Sequence, residues 1–313
     1  MSDIAVLLRQ VRLALQRDDL DTASAALEQL IALAQAAGDH AALARHHGNL
    51  ALLRHRQGGA EPALAHLEAA LEHARIEGDG AMEAGLLGNA GNVLRDLRRY
   101  NEAIQALQGA LALAVDHHDE RGRGIWLANL GLVYDDMGET AHAIAYHEQS
   151  IVVARGLRDL RGLAGRLGNL AQSCMAHGDQ PTALIHLQEA VMIYRDLGDK
   201  AQLARQLGII GNLYVVLGDR TATRPGRFYC YTRAIEHYRQ ALPPAHEVGD
   251  MTMQADLLRA IGEVCLAMED YHEAINHLDT ALRMFSGLGM EEVLPAIEDS
   301  LAQATHARQT QKV

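Results

Sequence analysis

Four asparagines recur at an interval of 40 residues: Asn49, Asn89, Asn129 and Asn169. A carboxamide is both donor and acceptor, so a row of them can pair with the N–H and C=O groups of an extended peptide whatever its side chains. Each lies in a stretch that otherwise reads as amphipathic helix, as in LGNLAQSCMAHGDQPTAL at 167–184. Asn costs roughly half a kcal/mol there relative to Ala, so its repetition calls for an offsetting gain. Polar residues accompany the row at helical spacing. Arg45 and Arg205 come four residues before the site, Asn92, Gln172 and Asn212 three after it, and Arg56, Asp96 and Asp136 seven after it. These residues form the candidate peptide groove. On the alternative reading each asparagine bonds a neighbouring helix and only fixes stacking.

Other candidates for chemistry are structural by their spacing. None of the 17 histidines lies three or four residues from another, so no helix offers paired metal ligands at that spacing. His66, His186, His237 and His277 recur at one repeat position and read as packing residues. His117 and His118, beside Asp119 and Glu120, read as an exposed turn. Cys174, Cys230 and Cys265 form no CxxC; Cys174 and Cys265 read as core thiols, and the set fits a reducing compartment. No GxSxG, P-loop or GxGxxG occurs, and the chain is expected to be no enzyme and to use no metal or cofactor. One segment departs from its surroundings. In DRTATRPGRFYCYTR, 219–233, Arg220, Arg224, Arg227, Phe228, Tyr229 and Tyr231 gather in a chain that is otherwise acidic and poor in aromatics. It is read as an insertion in a turn between helices, a candidate second contact or oligomer contact, or else a solvated loop whose aromatics fold back.

The elements that position these residues follow from the period. Asp39, Asp79, Asp119, Asp159 and Asp199 keep the 40-residue step, as do Ala63, Ala103, Ala143 and Ala183. The next equivalents, Ala234 and Asp250, come eleven residues late, and regular spacing resumes to Ala274. Each unit reads as helix, turn, helix. AAGDH, IEGDG, DLGDK and EVGDM place Gly where a left-handed C-cap is wanted and Asp where the next helix needs an N-cap. Leu167, Leu170, Ala171 and Cys174 fall on one face of the first helix, as do Leu127, Leu130, Gly131 and Tyr134. The small third residue lets the second helix approach, along which Ala103, Leu107 and Ala110 face back.

This pattern of Leu, Leu, Gly/Ala and Tyr, then Ala, Leu and Ala, resembles the tetratricopeptide repeat. The 40-residue period and the G-N-L-G phrase are most similar to the long-helix variety of the Pins/LGN adaptors, the kinesin light chains and bacterial regulators. The resemblance implies an all-α, right-handed solenoid of about seven helix pairs, at 1–38, 39–78, 79–118, 119–158, 159–198, 199–249 and 250–289. A capping helix at 291–309, with Val293, Leu294, Ile297 and Leu301 on its apolar side, and a tail at 310–313 complete a single domain. It also implies that the asparagine line faces the concave groove and holds a partner's backbone. The family's carboxylate clamp is missing: its lysine sites hold Leu8, Gly48, Gly88, Ala128, Gly168 or Gly208, which disfavours chaperone tails.

Composition agrees with this class. With 49% hydrophobic and 22% charged residues the chain is globular, and a net charge of −12 argues against nucleic acid. Asp3, Arg9, Arg12 and Arg17 interrupt the apolar N-terminal run, excluding a signal-peptide core or a membrane span there. Basic residues are almost all arginine, the usage of a GC-rich bacterial genome. The expectation is a cytoplasmic adaptor or scaffold that binds a protein or peptide. A ligand-responsive regulator, and self-assembly through solenoid ends or the insertion, are the alternatives.

Overall fold

The computed structural model describes residues 3–310. Among them every regular element is a helix, and none is long and apolar enough to cross a membrane. The chain divides into two compact units, Met1–Asp159 and Leu160–Val313, where the sequence reading expected one domain; the division falls on a repeat boundary. The first unit holds α1 (Asp3–Gln16), α2 (Leu20–Ala37), α3 (His40–Arg56), α4 (Ala60–Glu77), α5 (Gly80–Asp96), α6 (Tyr100–Asp116), α7 (Glu120–Asp136) and α8 (Thr140–Gly156). The second holds α9 (Leu160–His177), α10 (Gln180–Asp196), α11 (Lys200–Arg220), α12 (Arg224–Glu247), α13 (Met251–Ala267), α14 (Tyr271–Gly287), a 3-10 turn at Glu291–Val293 and α15 (Leu294–Thr310). Within each unit consecutive helices pack on one another as the repeat demands, making an all-α solenoid architecture.

The punctuation expected from sequence is present. Asp39, Asp79, Asp119, Asp199 and Asp250 cap their helices, each side chain accepting the backbone N–H three residues on at 2.8–3.2 Å. Gly38, Gly78, Gly198 and Gly249 end the preceding helices with φ of 67–72°. Arg98 (φ 58°) and His118 (φ 55°) take the same left-handed conformation with a side chain attached.

Two glycine positions set how closely helices meet. Within a pair, a Cβ on Gly91 would lie 2.5 Å from Leu107 Cγ and 3.3 Å from the Ala103 carbonyl oxygen, and one on Gly131 would lie 2.5 Å from the His147 ring. Between pairs, a Cβ on Gly48 would meet Leu86 at 2.9 Å, and one on Gly88 would meet the Trp126 ring at 2.1 Å. Partner side chains therefore lie directly over bare backbone, and the large fully buried leucines, Leu67, Leu107 and Leu130 among them, fill the seams.

The sixth pair corrects one expectation. The extra residues make no loop: α11 has 21 residues and α12 has 24 where α13 and α14 have 17 each, and only 221–223 connect them. Arg224-Pro225-Gly226 is the first turn of α12, capped by Thr223, because proline suits a position whose N–H has no helical acceptor. The insertion thus lengthens a helical hairpin. Farther on, α12 continues through Pro243 and Pro244; the carbonyls of the exposed Arg239 and Gln240, which lose their helical donors, can turn to water. At the end of this unit α15 acts as the expected cap, with Ile297 fully buried beside Phe285 and Leu278 and with Val293, Leu294 and Leu301 against the same cluster. Of the expected tail, 311–313 lie outside the described residues.

Two outcomes check this account. Arg98→Gly and His118→Gly relieve left-handed strain and each should raise stability by about 0.5–1 kcal/mol in denaturant melts. Gly91→Val, whose side chain has the fixed Ala103 carbonyl against it, should lower stability by about 2 kcal/mol or more in the same assay.

Candidate functional site in the second unit

In the second unit α11 and α12 approach closely at Gly211. A Cβ there would stand 2.3 Å from the Tyr238 ring, so the absence of a side chain lets this tyrosine lie against α11. Tyr238 is 2% exposed, and its hydroxyl donates to Asn212 Oδ1 at 2.6 Å. One hairpin turn farther along the same device recurs. Gly218 accommodates Tyr231, which is 6% exposed and donates to Asp219 Oδ1 at 2.5 Å. Burial first, then the bond to Asp219, pushes the Tyr231 hydroxyl up to about 12, and burial with the nearby Glu263 carboxylate raises that of Tyr238. Both therefore remain neutral donors at physiological pH.

Asn212 is where three adjoining recesses meet. One, of about 550 Å³, lies between α11 and α13 and is lined by Arg205, Ile209, Tyr238, Asp256, Leu257 and Arg259 among others. A second, of about 460 Å³, runs toward α9 past Gln172, Met175, Val216 and Arg220. The third, of about 450 Å³, follows the lengthened hairpin past Asp219, Tyr231 and Glu263. Their charges are not equivalent. Arg259 is held by Glu263 at 3.0 Å and Asp256 at 3.3 Å. Arg205 is exposed and has no ion pair among the described residues. With its oxygen engaged by Tyr238, Asn212 retains amide N–H groups for another acceptor. The recesses thus offer apolar walls, amide donors and the Arg205 guanidinium.

The other expected groove residues fall into two groups. Asn89, Asn92, Asn129 and Asn169 are half-buried and Asn49 is exposed; their carboxamides make no hydrogen bond among the described residues. Asn49 and Arg45 border a recess of about 370 Å³ in the first unit, with Ile4, Leu8 and Leu30. The charged residues at the far end of the line tie adjacent helix pairs together instead. Arg56 pairs with Asp18 at 2.9 Å, Asp96 with His55 at 2.7 Å, and Asp136 with Arg95 at 3.3 Å. Of the residues in 219–233, Arg224 meets Glu269 at 3.2 Å and lies over Phe228. Arg227 and Tyr229, 64% exposed, face solvent, whereas Tyr231 is part of the recess.

Sequence reasoning passed over Tyr238, Arg259 and the buried His147. Tyr238 and His147 occupy the repeat position of Leu67, Leu107 and Leu187, and each packs on a glycine. A ring where the period calls for leucine was the available signal. His147 is fully buried, with Nε2 3.0 Å from Asp135 Oδ2.

Residues 82–155 match the tetratricopeptide repeat family, and 3–57 with 166–214 match anaphase-promoting complex subunit 5. No curated protein matches the sequence significantly. Among solved structures, the apo form of RapI superposes with a TM-score of 0.64 at 14% identity, over 99% of both chains. A Rap protein complexed with Competence and Sporulation Factor gives 0.57 at 14%, again over 99% of both. A signal transduction ATPase with a tetratricopeptide repeat sensor, from Pyrococcus horikoshii, gives 0.69 at 12%, over 100% of this chain and 53% of that one. At these identities the likeness is one of fold.

Histidines make stability pH-dependent. Burial, as the leading cause, lowers the affinity of His46, His47, His66 and His237 for protons, His237 being stacked on Tyr214 with Arg233 nearby. Above the ordinary imidazole value of about 6.5 folded and unfolded chains bind the same protons at these sites. Below it the unfolded chain takes up protons that the folded chain refuses, so stability falls as pH drops. The melting temperature should be lower at pH 5.5 than at pH 7.5, and His237→Leu should reduce that difference.

Proposed function

We propose, from the premise that the chain is a tetratricopeptide-repeat protein, that it is a non-enzymatic adaptor holding an extended segment of a partner protein in the recess around Asn212. The observation that carries this is the convergence of three recesses on one asparagine whose oxygen is fixed by a buried tyrosine. Its amide would donate to the segment's backbone carbonyl. Arg205, free of carboxylate partners, would take an acidic side chain or a terminal carboxylate, and Ile209, Leu257 and Ala260 would receive an apolar side chain. The asparagines at 49, 89, 129 and 169 would extend the same backbone-directed pairing within their own units.

The likeness in fold to a Rap protein solved with Competence and Sporulation Factor favours a second reading, a regulator that responds to a bound factor. A regulator should become measurably more compact on binding, whereas an adaptor should change little by small-angle scattering.

The decisive substitution is Asn212→Asp, which keeps an acceptor for the Tyr238 hydroxyl and removes the amide donors. Peptides selected on the wild-type protein from a random display library should bind Asn212→Asp and Arg205→Ala about tenfold or more weakly by calorimetry, each equivalent to about 1.4 kcal/mol or more. Melting temperatures should be unchanged. Failure to select any peptide, or equal affinity in both variants, would remove this reading.

A further inference from the structure

A histidine cluster in the first unit stands apart from the peptide recess. His40 and His47 are seven residues apart on α3, and His66 and His73 are seven apart on α4, so each pair shares a helix face. Because the two helices run antiparallel in register, His40 meets His73 and His47 meets His66. The Nδ1 atoms lie 2.9 Å and 3.1 Å apart, respectively. The rings of His47 and His73, with centroids 6.2 Å apart, bring the two pairs together. All four residues are half-buried between the helices.

An Nδ1···Nδ1 contact holds together only if one ring carries the proton there and the other offers a lone pair. Two imidazole nitrogens at this spacing also match neighbouring positions around a transition-metal ion. A metal–nitrogen distance of about 2.0–2.1 Å puts the nitrogens roughly 2.9 Å apart at a right angle and roughly 3.3 Å apart at the tetrahedral angle. The cation nearest His66, Arg54, is paired with Glu28 at 2.6 Å. Among the described residues no group of three or more His, Cys, Asp or Glu side chains is placed to hold an ion, so water would supply the remaining ligands.

We infer that the His40–His73 and His47–His66 pairs are two-imidazole chelates for divalent transition-metal ions, Cu²⁺ above Zn²⁺ in affinity, each ion bridging α3 and α4. The order follows the general preference of nitrogen sites. On binding, the ring protonated at Nδ1 shifts that proton to Nε2 through solvent, both Nδ1 lone pairs go to the metal, and no net proton is released.

The test is titration of the metal-free full chain with CuCl₂ alone at pH 7.4, followed by calorimetry and electron paramagnetic resonance. Wild type should show two sites, each with two nitrogen ligands, and a melting temperature that rises with Cu²⁺. His40→Gln/His73→Gln should remove one site, and His47→Gln/His66→Gln the other. Loss of a mere outer-shell partner already weakens metal binding about 10–100-fold, so removal of both ligands should weaken each site by at least that much. His142→Gln/His272→Gln, at exposed histidines outside the cluster, should leave both sites intact. Should the central pair be needed for folding, the His40→Gln/His73→Gln variant, altered at the open end of the hairpin, still decides the matter. Unchanged stoichiometry and affinity in that variant, or signals from fewer than two nitrogens per ion in wild type, would overturn the proposal.

Discussion

The structure depends on the first helix of a pair meeting the second at a residue with almost no side chain. At Gly91, Gly131, Gly211 and Gly262 the partner's side chain occupies the space a Cβ would need. The gain is dispersion contact and buried apolar surface along an otherwise aromatic-poor seam, so the core is built from alanine and leucine in close contact. Gly48 and Gly88 do the same between successive pairs, beneath Leu86 and Trp126. In the third pair both contacts fall on glycine, at Gly88 and Gly91.

That contact is varied in two pairs. Leucine holds this repeat position at Leu67, Leu107, Leu187 and Leu278; histidine replaces it at His147 and tyrosine at Tyr238. A ring delivers a polar atom through the apolar seam to the far side of the first helix, where Tyr238 fixes Asn212 and His147 reaches Asp135. The longer sixth pair repeats the substitution at Tyr231 and adds a further recess to the same surface. A period that is structurally monotonous thereby acquires one singular place, and the recesses of the second unit gather there.

Charges along the expected groove divide by their distance from the helix ends. Arg56, Asp96 and Asp136 stand at or beside the last turn of their helices, where neighbouring pairs come within reach, and they bond to Asp18, His55 and Arg95. Exposed pairs of this kind contribute little individually, about 0–1 kcal/mol, and serve to set register. Arg205, Asn169 and Asn212 lie mid-helix, where no neighbouring pair offers such a partner. The division into structural and available groups was invisible in a pattern that treated all of them as one polar line.

The sequence by itself determined the helix pairs, about seven in number, because glycine at positive φ, aspartate at the N-cap and apolar residues at 3.6-residue spacing are local constraints that each segment satisfies within its own few turns. Likewise legible was the capping role of Ile297 and its neighbours. Only the tertiary structure decided that the eleven extra residues extend two helices, since both a loop and a longer hairpin satisfy the same local rules and packing of Tyr231 on Gly218 chooses between them. It also decided which polar residues are free and which histidines meet. His40 and His73 are 33 residues apart in the chain and in contact only because two antiparallel helices bring them into register. Distances across a helix interface depend on side chains from both elements, and no periodicity within one of them encodes that.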